Sequence, residues 1–202
     1  MFAPLGVLVA AVALLALIAR KVAANATQPF DNSVRRTLQA HRTPLLDVAT
    51  KPITIVSLPL VVVCATGVIV WWLHLNGRSN AALVIGVTLI VAAAVGQAFT
   101  MFFPQPSAPH AAESEDGKST AATFPSGHTT GVTAEALVIA YVMSAEGLAS
   151  PAAIAALLAW PLLVGASRLY RDRHWLSDIV AGWIAGVAVA SVSVMLYRAN
   201  FL

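Results

Sequence analysis

The chain has 202 residues, 58% of them hydrophobic and only 10% charged, with a mean hydropathy of +0.79. An ordinary soluble domain carries about 25% charged residues, so this composition excludes a water-soluble globular fold and points to an integral membrane protein. The net charge of +3 sits mostly at the edges of apolar runs, which excludes a nucleic-acid stripe, and a single cysteine, Cys64, excludes an intrachain disulfide or a cysteine metal site.

The first apolar segment covers residues 4–19 and meets Arg20 and Lys21. It is expected to continue past them, because long basic side chains can lie along apolar surface with their heads in water. Its start lacks the positive charge of a signal peptide, so a retained helix is expected. Residues 28–51 place Phe30, Val34 and Leu38 at four-residue spacing, with Arg35, Arg36 and Arg42 off that stripe. This pattern predicts an amphipathic helix lying in the membrane interface.

A second span is predicted over residues 53–73, ending in the interfacial residues Trp71, Trp72 and His74, and a third over 81–103. Residues 104–124, rich in Pro, Ser, Ala and acidic side chains, read as an exposed, mobile loop. The fourth span, residues 128–145, carries Glu135 within it; an acid there is either functional or held neutral or paired for structure. The fifth covers 151–166 and contains Pro161, and the sixth covers 178–197. In the sixth, Gly182 and Gly186 form a small-xxx-small pair that lets another helix approach closely. The expected partner is a helix of the same bundle, with a second copy of the chain in a homodimer as the alternative. The expectation is therefore an all-α polytopic membrane helix bundle, six transmembrane helices plus an interfacial helix, forming one domain over residues 1–202.

Two short motifs stand at the ends of these segments. One is Pro125-Ser126-Gly127-His128; the other is Ser167-Arg168, followed by His174 and then Asp178. Helices four and five form one out-and-back pair between them, which puts both motifs on the same membrane face. His174 and Asp178, four apart, are expected as neighbours on one helical face. The carboxylate can fix the imidazole tautomer and leave the other ring nitrogen as a nucleophile. Arg168 offers forked donors to phosphate oxygens. Ser126 and Gly127 open helix four, where backbone N–H groups and the positive helix end favour an anion. His128 is placed to protonate a departing alkoxide oxygen. Together these groups suit in-line attack on phosphorus.

The two motifs resemble signatures of the type 2 phosphatidic acid phosphatase superfamily of membrane lipid phosphate phosphatases. Pro-Ser-Gly-His is intact at 125–128, and Ser-Arg-x5-His-x3-Asp is intact at 167–178. The resemblance implies a metal-independent phosphatase, without cofactor, acting through a phosphohistidine on His174. Asp178 would support that histidine and His128 would serve the leaving group. Arg168, Ser126 and Gly127 would bind phosphate. The family's first signature, Lys-x6-Arg-Pro, is degraded: aligned on Pro106, Ala98 replaces the lysine and Gln105 the arginine. Gln105 can still donate a hydrogen bond, though a neutral one is about half as strong as a charge-assisted one. Arg171 and Arg173 are candidates to restore the missing positive charge.

The expected substrate is a phosphomonoester or pyrophosphate of a membrane lipid. A phosphotransferase of the same superfamily and a non-catalytic lipid-phosphate binder are the alternatives, whereas no matching pair of Gly/Pro-broken helices supports a transporter. Orientation is contested within the sequence. Arg20, Lys21, Arg35, Arg36, Arg42 and Lys51 share the motif face and only Arg78 and Arg198 the other, which by the positive-inside rule puts the motifs in the cytoplasm. Resemblance to bacterial members favours the extracytoplasmic face, the expectation adopted here.

Overall fold

The structure is a computed structural model, and it describes residues 2–102 and 124–199. Among the described residues there are eight α-helices and no strand: α1 (Phe2–Ala23), α2 (Gln28–Ala40), α3 (Pro44–Val56), α4 (Pro59–Leu75), α5 (Ser79–Phe102), α6 (Gly127–Ala145), α7 (Pro151–Tyr170) and α8 (Leu176–Ala199). Four of them, α1, α5, α7 and α8, are long and apolar enough to cross a membrane, and the bent pair α3–α4 makes a fifth if it counts as one span. The segment predicted as a mobile loop lies outside the described residues, Phe124 excepted.

Local chemistry sets the boundaries. Thr43 is extended, Pro44 opens α3, and the Leu46 N–H donates to Thr43 Oγ1 at 3.3 Å. This is a standard helix start, with a hydroxyl cap and a proline whose missing N–H costs nothing there. The interfacial segment expected over 28–51 is therefore two elements, α2 and the first part of α3. A second correction concerns the span predicted over 53–73. Leu58, forced extended by Pro59, separates α3 from α4, and the two meet at 53°. The apolar run conceals this break because hydropathy does not register backbone geometry. At the opposite end, Gly77 (φ 75°) and Gly147 (φ 66°) terminate α4 and α6. In each case the next N–H reaches back to a carbonyl of the last turn, Arg78 to Leu73 and Leu148 to Met143, at 2.9 and 2.8 Å. Only a left-handed residue permits that closure, and glycine adopts it without strain.

α1 continues past Arg20 and Lys21 to Ala23, both basic side chains exposed, as expected. Its buried stripe Leu15, Ala19 and Val22 packs with Ala181 and Ala185 of α8. α6 lies deepest: nearly every residue from Thr129 to Ala140 is buried, including Thr129, Thr130, Thr133 and Glu135. This polar content keeps it out of the apolar helices named above. α8 packs along α6, and its glycines are the reason. A Cβ on Gly182 would lie 2.9 Å from Thr129 Cβ and 3.0 Å from the Ser126 carbonyl oxygen. The small-xxx-small pair thus seats a helix of the same chain. α7 runs unbroken through Pro161, whose carbonyl accepts the Trp183 indole N–H at 3.0 Å.

The far end of the bundle is tied by Arg78 and Tyr197, which both donate to Glu146 (3.1 and 2.7 Å), and by Arg198, which donates to Tyr141.

Candidate functional site

The two motifs meet where α6, α7 and α8 come together. Ser126 caps α6: its Oγ accepts from the Thr129 N–H and hydroxyl, at 3.5 and 3.1 Å. The Ser126 N–H donates to the Asp178 carbonyl at 3.1 Å, so the backbone itself joins the first motif to the second. Phe124, fully buried, stands edge-on to Phe99 at 6.3 Å and ties this turn to the end of α5.

The second motif differs from expectation in its local geometry. α7 extends to Tyr170, so Ser167 and Arg168 occupy its last turn, and α8 begins only at Leu176. His174 therefore sits in the turn before α8, not on the same helix as Asp178. The pair still meets, with His174 Nδ1 3.5 Å from Asp178 Oδ2. Asp178 also accepts the Trp175 N–H at 3.0 Å, which caps α8 as it faces the imidazole. Ser167 Oγ contacts Thr54 Oγ1 at 3.0 Å and anchors this end of α7 to α3.

His128, Arg168 and His174 lie within electrostatic range of one another, and Asp178 within range of His174. Burial pushes the His174 pKa below the usual imidazole range and the Arg168 charge adds to this, against the opposing influence of Asp178. A neutral ring with a free lone pair follows, the state a nucleophile needs. Among the described residues, His128 Nε2, Arg168 Nε, His174 Nδ1 and Asp178 Oδ1 are buried polar atoms without a hydrogen-bond partner. Such atoms are rare in folded proteins and, clustered, mark a place built for a polar guest. No group of three or more His, Cys, Asp or Glu placed to hold a metal ion occurs among the described residues.

The remaining sequence candidates distribute unevenly. Arg171 and Arg173 are half-buried and within electrostatic range of Arg168. Ala98 is exposed near the end of α5. Gln105 lies outside the described residues. Glu135 is remote from the histidines, seven residues and so about 10 Å along α6 from His128; it accepts from Thr66 Oγ1 at 3.3 Å. Three residues escaped the sequence reading. Arg35 makes two 2.8 Å bonds to the Asp172 carboxylate, and Asp31 accepts both the N–H and the hydroxyl of Ser177 at 2.9 Å. Their sequence signal, opposite charges four apart on α2, reads as a local surface pair.

A family model described as the PAP2 superfamily matches residues 81–202. The fold is similar to that of a transmembrane PAP2-type phosphatidylglycerolphosphate phosphatase from Bacillus subtilis, with a TM-score of 0.85 at 18% identity over 98% of each chain. It is also similar to that of Aquifex aeolicus LpxE, with a TM-score of 0.61 at 23% identity, covering 81% of this chain and 93% of that one. No curated protein matches the chain by sequence.

Proposed function

The chain belongs to the PAP2 superfamily, and from that premise we propose that it is a metal-independent phosphatase acting on a phosphomonoester or pyrophosphate of a membrane lipid. The observation that carries the reading is the cluster of four unpartnered buried polar atoms contributed by His128, Arg168, His174 and Asp178. A phosphate monoester supplies acceptor oxygens for His128 Nε2 and Arg168 Nε, while His174 Nδ1 stays beside Asp178 and leaves the other ring nitrogen for phosphorus.

In the proposed reaction the His174 ring nitrogen remote from Asp178 attacks phosphorus, and the bond from phosphorus to the lipid oxygen breaks. That oxygen takes the proton held on His128, whose protonated form the substrate's negative charge favours. The phosphorylated ring is cationic, and the Asp178 carboxylate beside Nδ1 stabilises it. Water then attacks phosphorus, gives a proton to His128 and releases phosphate, returning both histidines to their starting states. Arg168 and the N–H groups at the start of α6 hold the equatorial oxygens, and Arg171 and Arg173 add positive charge. With α6 counted as a span, α1, α3–α4, α5, α6, α7 and α8 make six crossings of a single membrane-embedded domain, and α2 lies at the interface.

In detergent micelles containing chelator, the purified protein should release phosphate from phosphatidic acid, phosphatidylglycerol phosphate or a polyprenyl pyrophosphate. Vanadate should inhibit, because it mimics the pentacoordinate transition state. Absence of release from every lipid phosphate, or an absolute need for added magnesium, would overturn the proposal. The altered positions Ala98 and Gln105 favour one further reading, a binder that retains lipid phosphate without cleaving it; an alcohol acceptor that replaces water would instead mark a transferase.

We place the site on the extracytoplasmic face. Of the cations on that face, Arg35 and Arg42 are engaged in ion pairs with Asp172 and Asp47, at 2.8 and 2.9 Å, so structural duty accounts for part of the charge excess. In a Cys64→Ala background, an impermeant thiol reagent applied to intact cells should label a cysteine at exposed position 41 and spare one at exposed position 76. The reverse pattern places the site in the cytoplasm.

A further inference from the structure

We propose that Asp31 and Arg35 of α2 are positioning residues that clamp residues 172–177 on either side of His174 and hold His174 in the geometry for attack, a proposal that rests on the phosphatase reading above. The two are one helical turn apart, so they share a face of α2. That face lies against the turn rather than against lipid. On one side of His174, Arg35 Nε and Nη2 each donate to Asp172 at 2.8 Å. On the other side, Asp31 accepts from the Ser177 N–H and Oγ–H at 2.9 Å. Asp31, Val34, Arg35, Asp172, His174 and Trp175 line the cleft between α2 and the turn.

The backbone requires such a clamp. The residue before α8 is Trp175, which has no side-chain oxygen to cap the helix, so the exposed N–H groups of the first turn need acceptors from elsewhere. Asp178 satisfies one and Asp31, from a helix almost 150 residues earlier, satisfies another. Asp172 has a φ of 56°, a left-handed conformation that most side chains avoid, although Asp tolerates it better than most. The forked Arg35 bonds hold it there. Asp31 is 4% exposed and Asp172 2%, and a carboxylate that deep persists only when it is paired and hydrogen-bonded. With α2 detached, both anchors of the turn are lost and His174, midway between them, is free to move. A displacement of about 1 Å at a reacting group can cost 100-fold in rate.

The decisive experiment compares Arg35→Gln and Asp31→Ala with their conservative counterparts, Arg35→Lys and Asp31→Asn. Asn keeps the acceptor for the Ser177 N–H, and Lys keeps the charge without the fork. Phosphate release from phosphatidic acid in mixed micelles should show kcat lowered about 10- to 100-fold in the first two variants, with KM within about two-fold of the parent. Asp31→Asn should recover most of the loss, and Arg35→Lys, which keeps the charge without the fork, only part of it. Hydrogen exchange of the backbone at 172–177 should rise in Arg35→Gln and Asp31→Ala while protection in α5 and α6 is unchanged. A kcat within two-fold of the parent in both disruptive variants overturns the clamp, as does exchange that rises equally throughout the bundle, which would mark a merely structural role. If the parent protein cleaves no lipid phosphate, the phosphatase reading falls on its own; unaltered exchange at 172–177 would then reject the clamp separately.

Discussion

Replacing His174 with alanine should abolish phosphate release, lowering kcat by about 10,000-fold or more, which corresponds to roughly 5 kcal/mol of transition-state stabilisation. Among the described residues, no other group beside Asp178 offers a neutral nitrogen lone pair. Arg168 is a permanent cation, and Asp178 already accepts the Trp175 N–H and faces the imidazole. Binding should survive, because Arg168 and the N–H groups opening α6 remain in place. The variant should therefore hold a lipid phosphate about as tightly as the parent does, while vanadate, which needs the His174 nitrogen as its apical ligand, should bind more weakly. Measured single-turnover rates and a trapped acid-labile phosphoprotein in the parent, absent from the variant, provide the check. Release that persists at a tenth of the parent rate would show that phosphorus is attacked by some other group, and the mechanism would fall with it.

The site was readable in the sequence to the extent that its members are costly where they stand. His128, Arg168, His174 and Asp178 stand at the ends of long apolar runs, and a charged or polar side chain at such a place signals a task. Their neighbours were not readable for a different reason. Asp172 lies between Arg171 and Arg173, and three alternating charges in a turn look like a solvated loop. Only the fold reveals that Arg35 lies over Asp172 and turns it into a buried anchor. Asp31 and Arg35 likewise have the spacing of a local helix pair, and nothing in their own segment indicates that each bonds to a partner well over a hundred residues away.

The same division holds for the helices. Hydropathy located α1, α5, α7 and α8 because their outer faces meet lipid. It missed the bend between α3 and α4, since Ser57 and Leu58 interrupt backbone geometry without interrupting apolar character. In α6 the inward faces carry Thr129, Thr130, Thr133 and Glu135, so the helix that sits deepest among its neighbours is also the least hydrophobic of the long ones. Its polarity is used inside the bundle. Thr130 and Thr133 bond back to carbonyls one turn earlier, at 3.0 and 2.6 Å, and the Thr133 methyl group faces Gly186 of α8.

That packing predicts the second large effect. Gly186→Ala should destabilise the folded protein by about 3 kcal/mol, at the upper end of what overpacking costs, and should reduce activity along with stability. The added Cβ would lie 2.5 Å from Thr133 Cβ and 2.8 Å from the Thr130 carbonyl oxygen. Neither neighbour is the flexible end of a long side chain, so α6 and α8 must move apart. The Ser126 N–H bond to the Asp178 carbonyl spans the same interface two turns away, and separation of the helices draws His128 from His174. Gly67→Ala is the matched control, because that glycine is exposed on α4 with nothing within 4 Å of its would-be Cβ. Thermal unfolding in detergent should show a clear loss for Gly186→Ala and none for Gly67→Ala. Equal melting temperatures for the two variants would mean that α6 and α8 are not held at glycine distance, and the convergence of the two motifs would lose its structural basis.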